Sequence, residues 1–283
     1  MATGALLLAS AVWGWTFVLV KDALREVGPL GFLALRFALA SLLAAPLLLR
    51  QPEARSRSSW RWGAILGLAL FGGYFFQTWG LVHTTVQKSG LITGLSVVLV
   101  PLLAWVFGRR PARRAWLGVA LGGSGVALLS LGGGDLAGGS LLGDLLTVVC
   151  AISFALHLVL VDRYAKAGDP RTLLVSQVGL VAVISLAGAA VGGEQVALTL
   201  SAQVWVAVAV TGALATTGAF ALVLWAGRRI SASRMAVVLA TEPMFASLFG
   251  WWLLGEALLP VQGVGAALVM AGILTQLFPS ALR

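Results

Sequence analysis

The chain has 283 residues, 59% of them hydrophobic and only 10% charged, with a net charge of +9. Soluble domains carry about 25% charged residues, so this chain cannot cover a water-facing surface and the bilayer has to be its solvent. The positive charge does not mark a nucleic-acid partner, because the Arg pairs sit in short gaps between apolar runs and form no contiguous basic face.

In chain order, solid apolar runs predict membrane-spanning helices over 4–20, 29–49, 61–81, 89–107, 115–132, 142–161, 172–191, 204–225, 235–254 and 260–278. Each is near the roughly 20 residues a span requires. The alternation expected of a lipid-facing barrel is absent. No Lys or Arg precedes the first run, so it reads as a retained helix and not a cleavable leader. The single cysteine, Cys150, falls inside the sixth run and reads as a packing residue.

Of the 19 Lys and Arg residues, 15 fall in every second gap or at the C-terminus. Arg50, Arg55, Arg57 and Arg61 lie between runs two and three. Arg109, Arg110, Arg113 and Arg114 lie between runs four and five. Arg163, Lys166 and Arg171 follow run six, Arg228, Arg229 and Arg234 follow run eight, and Arg283 ends the chain. Loops rich in Lys and Arg stay in the cytoplasm. The expected protein is a multi-pass inner-membrane protein with both termini cytoplasmic. Anionic lipid then faces the basic loops.

Shifted by 146 residues, Gln77–Arg110 lies on Val223–Glu256 without a gap, bringing Trp79 onto Trp225, Lys88 onto Arg234 and Trp105 onto Trp251. Two halves of five spans follow, 1–134 and 135–283. Five is odd, so the second half starts from the opposite face and the halves are inverted, a transporter arrangement. The fold class is therefore all-α, ten transmembrane helices in two inverted five-helix repeats. Gly63/Gly67, Gly90/Gly94, Gly118/Gly122 and Gly188/Gly192 have the spacing that lets helices approach closely in lipid.

Several motifs occur together. The first span carries Trp13-Gly14 with Phe17 and Lys21, the second Leu35-Arg36-Phe37. Gly73-Tyr74 and Gln77-Thr78 lead into Thr84-Thr85, Lys88, Gly90 and Thr93-Gly94-Leu95. The second half carries Trp225-Ala226, Arg228-Arg229, Ser231-Ala232-Ser233-Arg234, Glu242-Pro243 and Leu254-Gly255-Glu256. In this order the chain resembles the drug/metabolite transporter superfamily in its ten-helix EamA-type branch. That resemblance implies an alternating-access carrier, usually an exporter of small metabolites, amino acids or toxic compounds. An uptake carrier or exchanger of the same fold is the alternative. The chain departs from the family pattern at Val223, where Gln is frequent, which bears on cavity polarity.

Polar groups inside a membrane are costly and mark function by default. Glu242 lies roughly 12 Å deep in the ninth run at 1.5 Å per residue. It is a candidate to pair with a cation or carry a coupling proton; a structural bond beside the Pro243 kink is the other reading. Arg36 is a candidate to hold a cargo carboxylate or to cap helix ends. His157 is a second coupling candidate. Trp13, Phe17, Tyr74, Gln77, Trp79 and Trp225 are candidates for an aromatic cavity wall, suited to flat organic solutes and cations. Lys88 reads as a snorkelling residue or as an attractor of anions at the outer mouth.

No enzyme is expected. Gly123-Ser124-Gly125 has only His83 and His157 elsewhere as possible bases, and no Walker motif is present. One Cys and two His make no metal cluster, and no cofactor is expected. A non-transporting scaffold is disfavoured by the intramembrane charges. The expected partners are a small-molecule substrate and the lipid bilayer; oligomeric state is left open, and a monomer suffices.

Overall fold

The computed structural model describes residues 2–50, 56–108, 113–131, 139–194, 196, 199–230, 235, 238–239, 241–257 and 259–275. Among these the regular structure is entirely helical. The elements are α1 (Ala2–Ala23), α2 (Pro29–Ala44, tightening to a 3-10 segment at Ala45–Arg50), α3 (Arg57–His83), α4 (Val86–Thr93), α5 (Ser96–Val106) and α6 (Arg113–Leu131). There follow α7 (Leu141–Tyr164), α8 (Pro170–Gly192), α9 (Ala202–Val210), a π-helical segment (Thr211–Gly218), α10 (Ala219–Gly227), α11 (Glu242–Leu254) and α12 (Pro260–Leu274). Seven helical stretches among the described residues are long and apolar enough to cross a bilayer, counting 86–106 and 202–227 as one rod each.

The helix starts follow from local chemistry. Ser56, Thr85, Ser140, Asp169 and Ser201 each accept a bond from the free amide three residues on. Pro29, Pro170 and Pro260 sit in first turns, where the missing N–H costs nothing. Gly193 and Gly255 close α8 and α11 at φ 68° and 67°, a left-handed conformation that favours glycine.

Burial is inverted relative to a soluble protein. Leu42, Val106 and Val191 are 72%, 79% and 91% exposed, as lipid-facing side chains should be. Arg36, Lys88, Asp144, His157 and Gln177 are instead buried inside the bundle.

Two apolar runs are broken within their length. Gly94 and Leu95 separate α4 from α5. In the other half, residues 238–239 are helical, Thr241 turns, and α11 starts at Glu242. Adding 146 to Ser96, the first residue of α5, gives Glu242, the first residue of α11. The helix contacts follow the same exchange. α3 packs on α7 and α8, while the α9–α10 rod packs on α1 and α2. α1 packs on α11, and α7 on α4 and α5. Three further extensive contacts join mate to mate: α2 with α8, α4 with α11, and α6 with α12.

Candidate functional site

A cavity lies between α1, α2, α3, the α4–α5 break, α7, α10 and the start of α11, with about 840 Å³ of unfilled space counting its mouth. Each helix contributes one stripe. Tyr74, Gln77, Thr78 and Leu81 fall on one face of α3, and Phe154, His157 and Leu158 on one face of α7.

The lining residues come in mates. With the 146-residue shift, Tyr74 pairs with Phe220, Gln77 with Val223, Thr93 with Leu239, and Ser96 with Glu242; all eight line the cavity. For the first two spans of each half the shift is 141, because the loop before α9 is longer than its counterpart before α3. It pairs Trp13 with Phe154, Thr16 with His157 and Phe17 with Leu158, again all lining. Pro29 and Pro170, which open α2 and α8, share this register.

Within each pair the chemistry has diverged. Arg36 is the cation of the wall, and its mate is Gln177. The Arg36 Nε donates to Thr216 Oγ1 at 2.8 Å and Nη2 donates to the Tyr74 hydroxyl at 3.0 Å. Its guanidinium carbon stands 4.3 Å from the Tyr74 ring centroid. No carboxylate pairs with it among the described residues. Glu242 supplies the carboxyl group of the wall, and among the described residues no group is hydrogen-bonded to it. His157 Nε2 shares a 2.9 Å hydrogen bond with Gln177 Oε1. Gln77 Nε2 donates to Thr93 Oγ1 at 3.4 Å.

The π segment supports this wall. Its widened turn frees carbonyls that an α-helix would use internally, a feature frequent at functional sites. The Trp13 indole N–H donates to the Ala215 carbonyl at 2.6 Å, and the Thr217 hydroxyl donates to the Ala40 and Gly212 carbonyls at 3.2 and 3.0 Å. Trp13, Tyr74 and His157 all stack on or edge against Phe220, with ring centroids 5.5, 6.1 and 5.6 Å away.

Seven of the nine residues singled out in the sequence therefore line one cavity: Trp13, Phe17, Arg36, Tyr74, Gln77, His157 and Glu242. Trp79 and Trp225 do not. Five residues beyond Tyr74, Trp79 is turned about 140° round the helix at 100° per residue; it is 39% exposed and packs on Phe75. Trp225, its mate, lies under the Arg229 guanidinium in a separate groove at the arginine-rich end. Of the other wall residues, Thr78, Thr93 and Gly94 fall in the motifs quoted above, while Phe154 and Phe220 carry no charge and no motif that marks them in sequence.

At the sparsely charged end, polar ties join the same helices that wall the cavity. Lys21 Nζ donates to the Leu81 and Thr84 carbonyls at 2.7 and 2.6 Å. The Lys88 ammonium lies 2.7 Å from Asp144 Oδ2, both side chains 1% exposed, and the Thr84 hydroxyl donates to Asp144 Oδ1 at 2.6 Å. Lys88 is thus a buried ion-pair partner and not a snorkelling or anion-attracting residue; its mate, Arg234, lies outside the described residues. Glu256 accepts from the amides of Val86 and Gln87, both at 2.9 Å, where negative charge suits the start of α4. Glu194 accepts from the Gly31 amide at 2.7 Å and Glu26 from the Ser201 amide at 2.6 Å. Bonding to the side chain and amide of Ser201 holds the Glu26 carboxyl below its usual range.

The EamA-like transporter family matches residues 2–131 and 141–278, which is nearly the whole chain. The chain belongs to that family. It is a membrane transporter by the company it keeps. An uncharacterized transporter of Archaeoglobus fulgidus is 32% identical over 95% of this chain and 83% of its own length. The uncharacterized inner membrane transporter YedA of Escherichia coli is 24% identical, over 95% of this chain and 88% of that one. A chloroplastic WAT1-related protein of Arabidopsis thaliana is 25% identical over 94% of this chain and 67% of its own. A crystal structure 21% identical superposes with a TM-score of 0.71 over 97% of this chain and 95% of that one, a likeness of fold. In this EamA-like protein, the departure noted at Val223 falls on the cavity wall, opposite its mate Gln77.

Proposed function

We propose that the protein is a secondary carrier that moves a small organic solute through this cavity by alternating access, exporting metabolites such as amino acids or toxic organic compounds. One observation carries the reading: the cavity wall is made of mates, one from each half, with two separate interior charges added. Residues 1–134 and 135–283 are read as inverted repeats whose exchange of conformation turns the cavity from one compartment to the other. The matching helix contacts and the shared break before Ser96 and Glu242 support it. The arginine-rich end is assigned to the cytoplasm, with both termini, in the inner membrane. The polar ties at the other end then close the outer side, and outward opening has to break them.

In this reading Arg36 receives an anionic group of the cargo, Glu242 serves a cationic group or the coupling proton, and the aromatic faces hold the remainder. His157 is kept as a second coupling group, with Nε2 already engaged by Gln177. The test is transport by purified protein in liposomes across a panel of amino acids and organic cations. Saturable flux of at least one solute, driven by a pH gradient, is expected. In Glu242→Gln the gradient should no longer drive flux while solute exchange persists. No flux across the whole panel overturns the carrier reading; flux with unchanged pH drive in the variant removes Glu242 from coupling.

A further inference from the structure

A second cavity opens at the arginine-rich end, between the 3-10 end of α2, the start of α8 and the end of α10, with about 730 Å³ of unfilled space. We propose that it binds the headgroup of an anionic phospholipid from the adjoining leaflet. Arg171, Arg228 and Arg229 line it together with Leu47, Leu174 and Trp225, and among the described residues none of its walls is acidic.

Among the described residues the arginines are not spent on one another or on carboxylates. Nη1 of Arg171 is buried and has no hydrogen-bond partner among them. Arg229 is held in place by the Trp225 ring, 4.0 Å from its guanidinium carbon, and donates from Nη1 to the Trp225 carbonyl at 2.9 Å. A guanidinium has five N–H donors, so most of this fork is left for a ligand. The nearest acid in sequence, Asp169, is occupied: its Oδ2 accepts from the Thr172 amide and hydroxyl at 2.8 and 2.9 Å. A planar fork suits phosphate oxygens, and basic pockets between membrane helices hold anionic headgroups. The apolar half of the groove selects the source. A free phosphate would leave Leu47 and the exposed Ala221 uncovered, whereas a phospholipid covers them with its glycerol and acyl carbons.

The repeat offers an internal comparison. The mates of Arg171, Arg228 and Arg229 are Leu30, Val82 and His83, so the equivalent positions at the other end carry no arginine. The basic lining is therefore a property of one copy and not of the shared architecture.

Native mass spectrometry of the whole protein in detergent, titrated with phosphatidylglycerol or phosphatidylcholine, tests this without reference to cargo or orientation. Phosphatidylglycerol should remain bound when phosphatidylcholine has been stripped. Arg171→Gln, Arg228→Gln and Arg229→Gln should each weaken it by about fivefold. The comparison variant, Arg57→Gln with Arg61→Gln and Arg163→Gln, removes exposed charge from the same end and should retain it. Equal loss in the comparison variant, equal retention of both lipids by the unaltered protein, or full competition by inorganic phosphate would each overturn the proposal. The lipid competition on unaltered protein decides the matter even where a variant fails to fold.

Discussion

Arg36 and Glu242 are the two charges of the cavity wall, and both come from interior positions where only function or pairing sustains a charge. If Arg36 binds a carboxylate, Arg36→Ala should lower affinity for carboxylate cargo about tenfold or more, since a bond to a charged group contributes about 1.5–3 kcal/mol. Cationic cargo should be little affected, and equal losses in a binding assay would assign Arg36 to structure alone. Lys88 and Asp144 behave differently, being already paired and dry. Lys88→Met or Asp144→Asn should each cost about 3–5 kcal/mol by stranding the partner's charge. The double variant should cost less than the two losses added, as unfolding in detergent will show. Sequence reading located Arg36 and Glu242 because charge in an apolar run is conspicuous, and Lys88 because it is basic on the sparsely charged side. It did not find the partner of Lys88, since Asp144 is 56 positions away and local spacing carries no information at that distance.

At the scale of elements, the start of the ninth run and the end of the tenth lie outside the described residues. Where their ends are described, the apolar runs were legible nearly to them, because hydrophobic length alone sets a span. The interruptions were not. Gly94 and Thr241 sit in runs whose composition reads as continuous, and the π segment at Thr211–Gly218 is equally apolar on both sides. Two of the aromatic candidates, Trp79 and its mate Trp225, failed for a related reason: residue type suggested Trp79, but helical phase points it away from Tyr74 and Gln77. The glycine pairs divide in a testable way. A side chain at Gly90 would run into Ala246, and one at Gly94 into Pro243, at the α4–α11 contact beside the cavity. Gly192 has nothing within 4 Å. Gly90→Leu should therefore destabilise by about 1–3 kcal/mol through overpacking, while Gly192→Ala should be neutral or slightly stabilising. Melting temperatures of the two variants separate these outcomes.

For the whole molecule, inversion makes a claim about sidedness. In a background lacking Cys150, single cysteines at Arg25 and at its mate Lys166 should react with an impermeant thiol reagent from opposite faces of intact cells, Arg25 from outside. Labelling of both from one face would remove the inverted arrangement and the transport cycle with it.

The divergence of mates around the cavity has one more effect. Two unaltered copies would hold a lopsided passenger equally well in either of two reversed poses. Arg36 answered by Gln177, and Glu242 answered by Ser96, remove that degeneracy. In the carrier proposed above, a dipolar passenger would keep a single heading, with the same end leading on every trip.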